Sequence, residues 1–230
     1  MSKMLKEWDD LPKFMRTEEV RPYYNYLKKK KISLALKRAF DVIAASLMLI
    51  ITFPVFIIIS ILIVLDSKGG IFYRQERVTQ YGRIFKIYKF RTMVANADKV
   101  GTQVTVSNDK RVTKVGKKLR DYRLDELPQL INIILGDMTF VGTRPETSHY
   151  VRQYTPEMFA TLLFPAGVTS EASIFFKDEA ELLSEAENAD VTYIQKILPY
   201  KMKYNLQSIM TFSLLSDLRI MIQTVIAVMK

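Results

Sequence analysis

From Val42 to Leu65 the chain carries 24 consecutive residues without a charge, VIAASLMLIITFPVFIIISILIVL. Wound as one helix, that stretch is about 36 Å long, against a bilayer hydrocarbon core of about 30 Å. It starts well inside the chain, exceeds the apolar region of a secretory leader and is followed by no small-residue cleavage pattern, so it reads as a membrane segment. Pro54 lies near its middle, where it removes a backbone donor, frees the carbonyl of Ile50 and disfavours α geometry at Phe53. The halves on either side, 42–53 and 55–65, are each about 16–18 Å long and too short to span alone. Lys28, Lys29, Lys30, Lys31, Lys37 and Arg38 precede the run, while Lys68, Arg74, Arg77, Arg83, Lys86, Lys89 and Arg91 follow it. Positive charge therefore chooses no inside. Two placements fit: a proline-kinked helix that spans, and a re-entrant helix hairpin, broken at Pro54, that enters and leaves by one face. The hairpin accounts for both the proline and the symmetric flanks.

Charge supports a lipid surface. The net +10 is split into +6 over residues 1–38, −1 over 39–65, +7 over 66–150 and −2 over 151–230. A basic excess on both sides of an uncharged run fits an anionic membrane better than nucleic acid. At 230 residues one domain is the default. The organisation expected is a basic N-terminal arm (1–38), a re-entrant membrane helix (39–65) and a folded domain (66–230). The absence of cysteine removes disulfide scaffolds, thiolate zinc sites and cysteine nucleophiles, and a single histidine, His149, argues against a His-based zinc site or a Ser-His-Asp triad. His149 alone retains acid–base capacity. The chemistry falls otherwise to carboxylates, cations, hydroxyls and backbone.

Beyond the apolar run the pattern is α+β. Residues 71–91 read as two strands around a turn near Gln80-Tyr81-Gly82, with Phe85, Ile87 or Tyr88 and Phe90 interleaved with Lys86, Lys89 and Arg91. Such a strand is either a solvated face near headgroups or a cationic wall for phosphate. Residues 114–135 read as helical with a break around Tyr122–Asp125. Leu127, Leu130, Ile131, Ile134 and Leu135 form an amphipathic stripe, and Gly136 supplies the stop. Asp125 then falls at an N-cap, with Pro128 where a missing donor does no harm. Residues 178–190 form an acidic helical segment on a solvated face. From Asp217 to Lys230, Leu218, Met221, Ile222, Val225 and Met229 share one side, suited to core packing or to an interfacial helix.

The adjacent carboxylates Asp125 and Glu126 carry the chemistry. At a helix start, the dipole favours the ionised form, which binds a hard cation such as Mg²⁺ and is a competent nucleophile toward phosphorus. The same pair is also ordinary helix-start chemistry. Arg120, Arg123 and Arg144 nearby suit a polyanionic phosphate.

Three segments in order, KRAFDVIAASLMLIITFPVFIIISILIVLDSKGGIFYRQERV, IFKIYKFRTM and LRDYRLDELPQLINIILGDMTFVGTRPE, resemble the bacterial polyprenyl-phosphate sugar-1-phosphate transferases, the monotopic phosphoglycosyl transferases of glycan-priming pathways. The likeness is dense over residues 35–150 and weaker at DLRIMIQT near the C-terminus. It implies a re-entrant hairpin broken at Pro54 and a small, mostly helical cytosolic domain with a short β-hairpin and interfacial amphipathic helices. It implies a bacterial inner membrane location, with the catalytic domain on the cytoplasmic face. By position, Asp125 would be the nucleophile that takes a sugar phosphate, with Mg²⁺ nearby. Glu126 would position or deprotonate the dyad and the acceptor. Arg120 and Arg144 would face the nucleotide or phosphates, and Lys89 and Arg91 would lie beside the active site as substrate-binding residues. The implied reaction joins a UDP-sugar and polyprenyl (undecaprenyl) phosphate to give polyprenyl diphosphate-sugar and UMP, initiating glycan assembly.

The chain departs from the family pattern in places. Phe53 stands where Ser usually precedes the proline, Thr79 where Gly is common, and Thr143 where the first proline of Pro-Arg-Pro stands. A downstream motif rich in Gly, Trp and Gln reads FPAGVTSEASIFFKDE here, resembling a subgroup with a Thr-Ser-x-Ala-Ser segment. Competing readings are poorly served. A Leloir-type glycosyltransferase lacks its Asp-x-Asp, and a CDP-alcohol phosphatidyltransferase lacks its Asp-rich signature and its several spans. A non-catalytic anchor predicts that Asp125 is dispensable.

Overall fold

The computed structural model describes residues 5–95, 97, 109–184, 186 and 188–229. Two single turns, Trp8–Asp10 and Lys13–Met15, lead into α1 (Arg21–Lys28) and the long α2 (Lys31–Asp66). A hairpin follows, β1 (Phe72–Val78) and β2 (Ile84–Phe90), then α3 (Lys114–Asp121), a tight turn over Leu124–Glu126, α4 (Gln129–Leu135) and β3 (Met138–Val141). After α5 (Ser148–Val151) come a turn of 3-10 helix, Glu157–Leu163, β4 (Ala166–Thr169), α6 (Glu171–Phe175), α7 (Glu179–Ser184) and α8 (Ala189–Thr192). A π turn, Tyr193–Ile197, joins α8 to α9 (Leu198–Met210), and α10 (Leu214–Met229) closes the chain.

The strands make two small sheets. β1 and β2 pair antiparallel with Phe72 opposite Phe90 and Val78 opposite Ile84, as their alternation predicts. Tyr81 and Gly82 both take positive φ at the turn. β3 and β4 pair parallel, Met138 beside Ala166 and Val141 beside Thr169. Their backbones pass so closely that a Cβ on Gly167 would stand 2.1 Å from the carbonyl oxygen of Gly142.

Residues 5–30 do not stand apart as an arm. Leu5, Leu11, Met15, Val20, Tyr24 and Leu27 are buried in one cluster with Leu163, Phe164, Leu206 and Phe212. Basic residues occupy the outside of this segment, while its apolar ones, Val20, Tyr24 and Leu27 at helical spacing among them, point inward. A second cluster joins Ala45 of α2 to Phe85, Ile87, Leu130, Ile133 and Ile220. The buried face of α4 is centred on Asn132 and Ile133, while Leu135 of the expected stripe is exposed. Asn132 turns inward because its side chain completes β2, accepting from Tyr88 N at 2.9 Å and donating to Lys86 O at 3.0 Å.

α2 is a single helix of 36 residues with Pro54 inside it. The break expected at Pro54 is absent, because proline's fixed φ is itself helical; the residue still removes one ladder hydrogen bond and its ring crowds the carbonyl of Ile50, the usual cause of a kink. Both ends of α2 dock on the globular body; between them no residue from 46 to 55 is buried, though Leu49 packs at the edge of the core. On the first half, Lys37 donates to Asp217 of α10 at 2.6 Å, Asp41 accepts from Thr139 of β3, and Arg38 donates to the Ile133 and Ile134 carbonyls. On the second half, Phe56, Ile59 and Ile63 pack against Phe90 and Leu119. The end of the helix is tied by Asp66, which accepts from Val115 N at 2.9 Å.

α10 buries Ile220 and leaves Leu218, Ile222, Val225 and Ile226 exposed. Its apolar side thus lies on the surface, with Met221 half-buried at the edge of the core. In the acidic segment Glu179 and Asp190 are partnered rather than simply solvated, by Lys201 and by His149 and Tyr150. Glu185, Glu187 and Lys230 lie outside the described residues.

Lys37 is 3% exposed and stands between Asp217 and Asp41. Lys37→Met removes the cation from Asp217 and from buried Asp41, which keeps its Thr139 contact, and should cost about 3–5 kcal/mol. The measurement is thermal unfolding in detergent. Adding Asp217→Leu should recover part of the loss, and an unchanged melting point for the single variant would show that the ions do not hold α2.

Candidate active site

α3 ends where Arg123 takes φ 55°, a left-handed conformation unusual for a side chain of that size. The chain then makes one tight turn over Leu124–Glu126 before Pro128 admits α4. Asp125 consequently sits inside the turn and caps no helix, contrary to the N-cap reading, because the reversal at Arg123 starts a separate turn upstream of α4. Leu124 and Leu127, on either side of the dyad, pack against the cluster formed by Phe56, Ile59 and Ile63 of α2. The two carboxylates are thereby held beside the second half of the apolar helix.

Glu126 is the anchored member. Its Oε1 accepts from Lys89 Nζ of β2 at 2.8 Å and from Arg144 Nη2, and its Oε2 accepts from Arg144 Nη1 at 3.2 Å. Burial raises its pKa, but the charges and hydrogen bonds of Arg144 and Lys89 outweigh that and hold the carboxyl well below the ordinary range. A carboxylate so held does not take up a proton near neutrality. The geometry therefore supports a positioning role for Glu126.

Asp125 is the free member. It is buried, yet among the described residues no side chain donates a hydrogen bond to its carboxylate. Burial pushes its pKa up, with Lys89 and Arg120 opposing and Glu126 adding to the rise. Two neighbouring carboxyls thus titrate apart for identifiable reasons, the usual mark of divided roles. Arg144 is stabilised as a cation by Glu126, and its Nη1 also donates to Val168 O at 3.3 Å. Lys89 is lowered by burial, with Glu126 opposing.

Arg120 faces the same region through its charge on Asp125, its Nε donating to Thr92 Oγ1 at 2.9 Å. Burial lowers its pKa. α3 carries it close in because Gly116 lies against the chain at Thr92, where a Cβ would meet the carbonyl oxygen at 2.0 Å. Arg91 goes elsewhere. Its guanidinium donates to the carbonyls of Ile63, Ser67 and Lys68 and closes the C-terminal end of α2. Arg123 is exposed. Asp125, Glu126, Lys89, Arg144 and Arg120 are brought together, whereas Arg91 and Pro54 are not part of the cluster. Thr92 and Asn132 escaped the sequence reading, although each is a polar residue inside a segment otherwise read as apolar or basic.

A magnesium ion asks for one or two carboxylates together with water and substrate phosphates. Asp125 offers an uncommitted carboxylate, whereas both oxygens of Glu126 are taken. Among the described residues no group of three or more His, Asp or Glu could hold a metal alone. Asp125 with substrate phosphate fits such an ion.

Residues 32–230 match the family described as bacterial sugar transferase. The chain belongs to that family. Relatives include the UDP-N-acetylgalactosamine-undecaprenyl-phosphate N-acetylgalactosaminephosphotransferase of Aeromonas hydrophila, 34% identical over 83% of this chain and 43% of the relative. The UDP-glucose:undecaprenyl-phosphate glucose-1-phosphate transferase of Escherichia coli strain K12 is 36% identical over 83% of this chain and 39% of its own length. The exopolysaccharide production protein ExoY of Rhizobium meliloti strain 1021 is 33% identical over 84% of each. This family member thus spans less than half of the first two relatives and most of the third. The match to the family begins at residue 32, after the packed segment 5–30.

The raised Asp125 pKa has a stability consequence. Folding makes this carboxyl bind its proton more tightly, so its ionised form subtracts stability at pH values above the raised pKa. Below the unfolded value of about 3.9 both states are protonated and the effect vanishes. Asp125→Asn should therefore melt above the unaltered protein near neutral pH, with the gain shrinking on acidification toward about pH 4. A lower melting point at neutrality would show that the carboxylate is stabilised in place.

Proposed function

We propose that this chain transfers a sugar 1-phosphate from a UDP-sugar to undecaprenyl phosphate through a phosphosugar-aspartate intermediate. The observation that carries this reading is the division within the dyad. Glu126 is fixed by Lys89 and Arg144, while Asp125 is desolvated, unpartnered and surrounded by cations. A carboxylate stripped of water and flanked by Lys89, Arg120 and Arg144 is placed to attack phosphorus and to have the resulting charge stabilised. The names of the relatives, with UDP-sugar donors and undecaprenyl-phosphate acceptors, point the same way.

In the first step an Asp125 Oδ forms a bond to the sugar-bearing phosphorus of the donor. The bond from that phosphorus to the bridging oxygen breaks, and UMP leaves with the electron pair. In the second step a phosphate oxygen of the lipid acceptor attacks the same phosphorus, the acyl phosphate bond breaks, and Asp125 returns as a carboxylate. The product is polyprenyl diphosphate-sugar. Arg144 and Lys89 orient Glu126 and present positive charge to the phosphates, and Arg120 approaches from the α3 side. Mg²⁺ held by Asp125 and the donor phosphates would supply further charge neutralisation.

The acceptor is a lipid, and the position of the dyad beside Phe56, Ile59 and Ile63 of α2 suits it. Residues 34–45 and 56–66 of α2 both dock on one body, which is hard to combine with ends on opposite sides of a bilayer. That docking and the basic flanks support a re-entrant placement with the body on the cytoplasmic face, which requires α2 to bend within its unburied middle.

Purified enzyme given a panel of UDP-sugars, undecaprenyl phosphate and Mg²⁺ should release UMP. Asp125→Asn should abolish release and Glu126→Gln should impair it severely. Without acceptor, the peptide spanning 124–130 should gain the mass of one sugar phosphate. An Asp125→Asn variant retaining more than about a tenth of the rate, a loss under about 1.4 kcal/mol, would remove Asp125 as nucleophile. Placement is tested by single cysteines at Lys30 and Lys68 in this cysteine-free chain. An impermeant thiol reagent on intact cells should label neither, and opening the membrane should expose both. Labelling of one alone in intact cells would establish a spanning helix.

A further inference from the structure

Arg144 owes its place to the loop between β3 and α5, and that loop is gripped from several sides. Gly142 N donates to Thr169 O at 3.0 Å, Gly167 N donates to Thr143 O at 2.8 Å, and Val78 N donates to Glu146 O at 2.9 Å. These are backbone bonds that any sequence could make. The side chain of Glu146, two residues beyond Arg144, adds something different. It is 6% exposed, and its Oε1 accepts from the hydroxyl of Tyr193 with Lys201 Nζ 3.6 Å away. Lys201 donates in turn to the Tyr193 hydroxyl and to Glu179 Oε2, each at 2.9 Å. Tyr193 and Lys201 are 3% and 6% exposed. Burial, then Glu146 and Glu179, push the Tyr193 hydroxyl far above its ordinary pKa, so it remains a donor.

The backbone bends its own regularity to make this cluster. Residues eight apart on an α-helix lie about 80° from each other around the axis. The π turn Tyr193–Ile197 absorbs about one extra residue, which brings Tyr193 and Lys201 onto one face, both toward Glu146. Apolar side chains of the same volume could fill this space at no cost in charge burial, and buried ions are weak contributors to stability. What ions and hydrogen bonds supply is orientation. The cluster also lies within electrostatic reach of Arg144, since Glu179 helps hold that guanidinium charged.

We propose that Glu146, clamped by Tyr193 and Lys201, is a positioning residue that sets the guanidinium of Arg144 on Glu126. The C-terminal helices thereby tune a site whose reacting groups all come from the first two thirds of the chain. The inference rests on the phosphotransfer reading only for its kinetic consequence; its geometric consequence is independent.

The full chain in nanodiscs, labelled with ¹³C,¹⁵N-arginine, tests the geometry without turnover. The Arg144 guanidinium signal, assigned by its loss in Arg144→Lys, should show hindered rotation in the unaltered protein. Glu146→Gln and Tyr193→Phe should release it, while Asp190→Asn, which removes a nearby contact to His149 and Tyr150, should not. A signal that stays hindered in Glu146→Gln overturns the proposal. For turnover, Glu146→Gln should lower kcat about tenfold, and combined with Arg144→Lys should be no worse than Arg144→Lys alone. Losses that multiply would show that the cluster acts on something other than Arg144, and overturn it equally. Absence of UMP release in the unaltered protein would strike the functional reading and leave the arginine measurement to decide the positioning.

Discussion

The carboxylate of Glu126, held between Lys89 and Arg144, ties together three elements that the chain makes far apart: the hairpin strand β2, the turn before α4 and the loop after β3. With both its oxygens committed, Glu126 bridges two cations that would otherwise crowd one another in a half-buried space. Asp125 gains from this arrangement. It lies close enough to share the positive field but forms no bond that would tie up its lone pairs, so desolvation acts on it unopposed by direct contacts. Two adjacent and chemically similar side chains thus acquire opposite characters through the company they keep.

The apolar helix is part of the same construction. Its second half supplies the floor on which Leu124 and Leu127 rest, and Arg91 satisfies its terminal carbonyls. Its first half is pinned by the Lys37–Asp217 pair and by Asp41 on Thr139. Carbonyls at a helix end cannot be left dry without cost, so a buried arginine at the end of the apolar helix has a structural purpose as firm as any catalytic one. α10 likewise leaves Leu218, Ile222, Val225 and Ile226 exposed.

How much of this could be read from the residues follows a pattern. The β-hairpin was legible because alternation and a Gly-containing turn are local signals, and so was the grouping of Asp125, Glu126, Lys89 and Arg144, through motifs. Arg91 was misplaced for a geometric reason. In a continuing strand it would share a face with Lys89, but β2 stops at Phe90, and the alternation stops with it. The N-cap reading of Asp125 failed on the left-handed residue before it, a conformation no pattern of residue types announces. The packed segment 5–30 was masked by its basic residues, although Val20, Tyr24 and Leu27 keep the i, i+4, i+7 spacing of a buried helix face. Glu146 was equally opaque, its partners Tyr193 and Lys201 being distant in sequence and aligned by a π turn.

The cluster that joins residues 5–27 to Leu206 and Phe212 has a bearing on how the protein comes into being. A chain made from its N-terminus delivers α2 long before α9 exists, so the first half of this core spends most of synthesis without its second half. During that interval Val20, Tyr24 and Leu27 have no partners from α9, and contacts of such separation form late and at a high entropic cost. Nothing in that interval shelters the segment ahead of α2. Truncation at the C-terminus would therefore leave an open molecule, whose exposed aromatic and aliphatic residues invite association with one another or with quality-control factors.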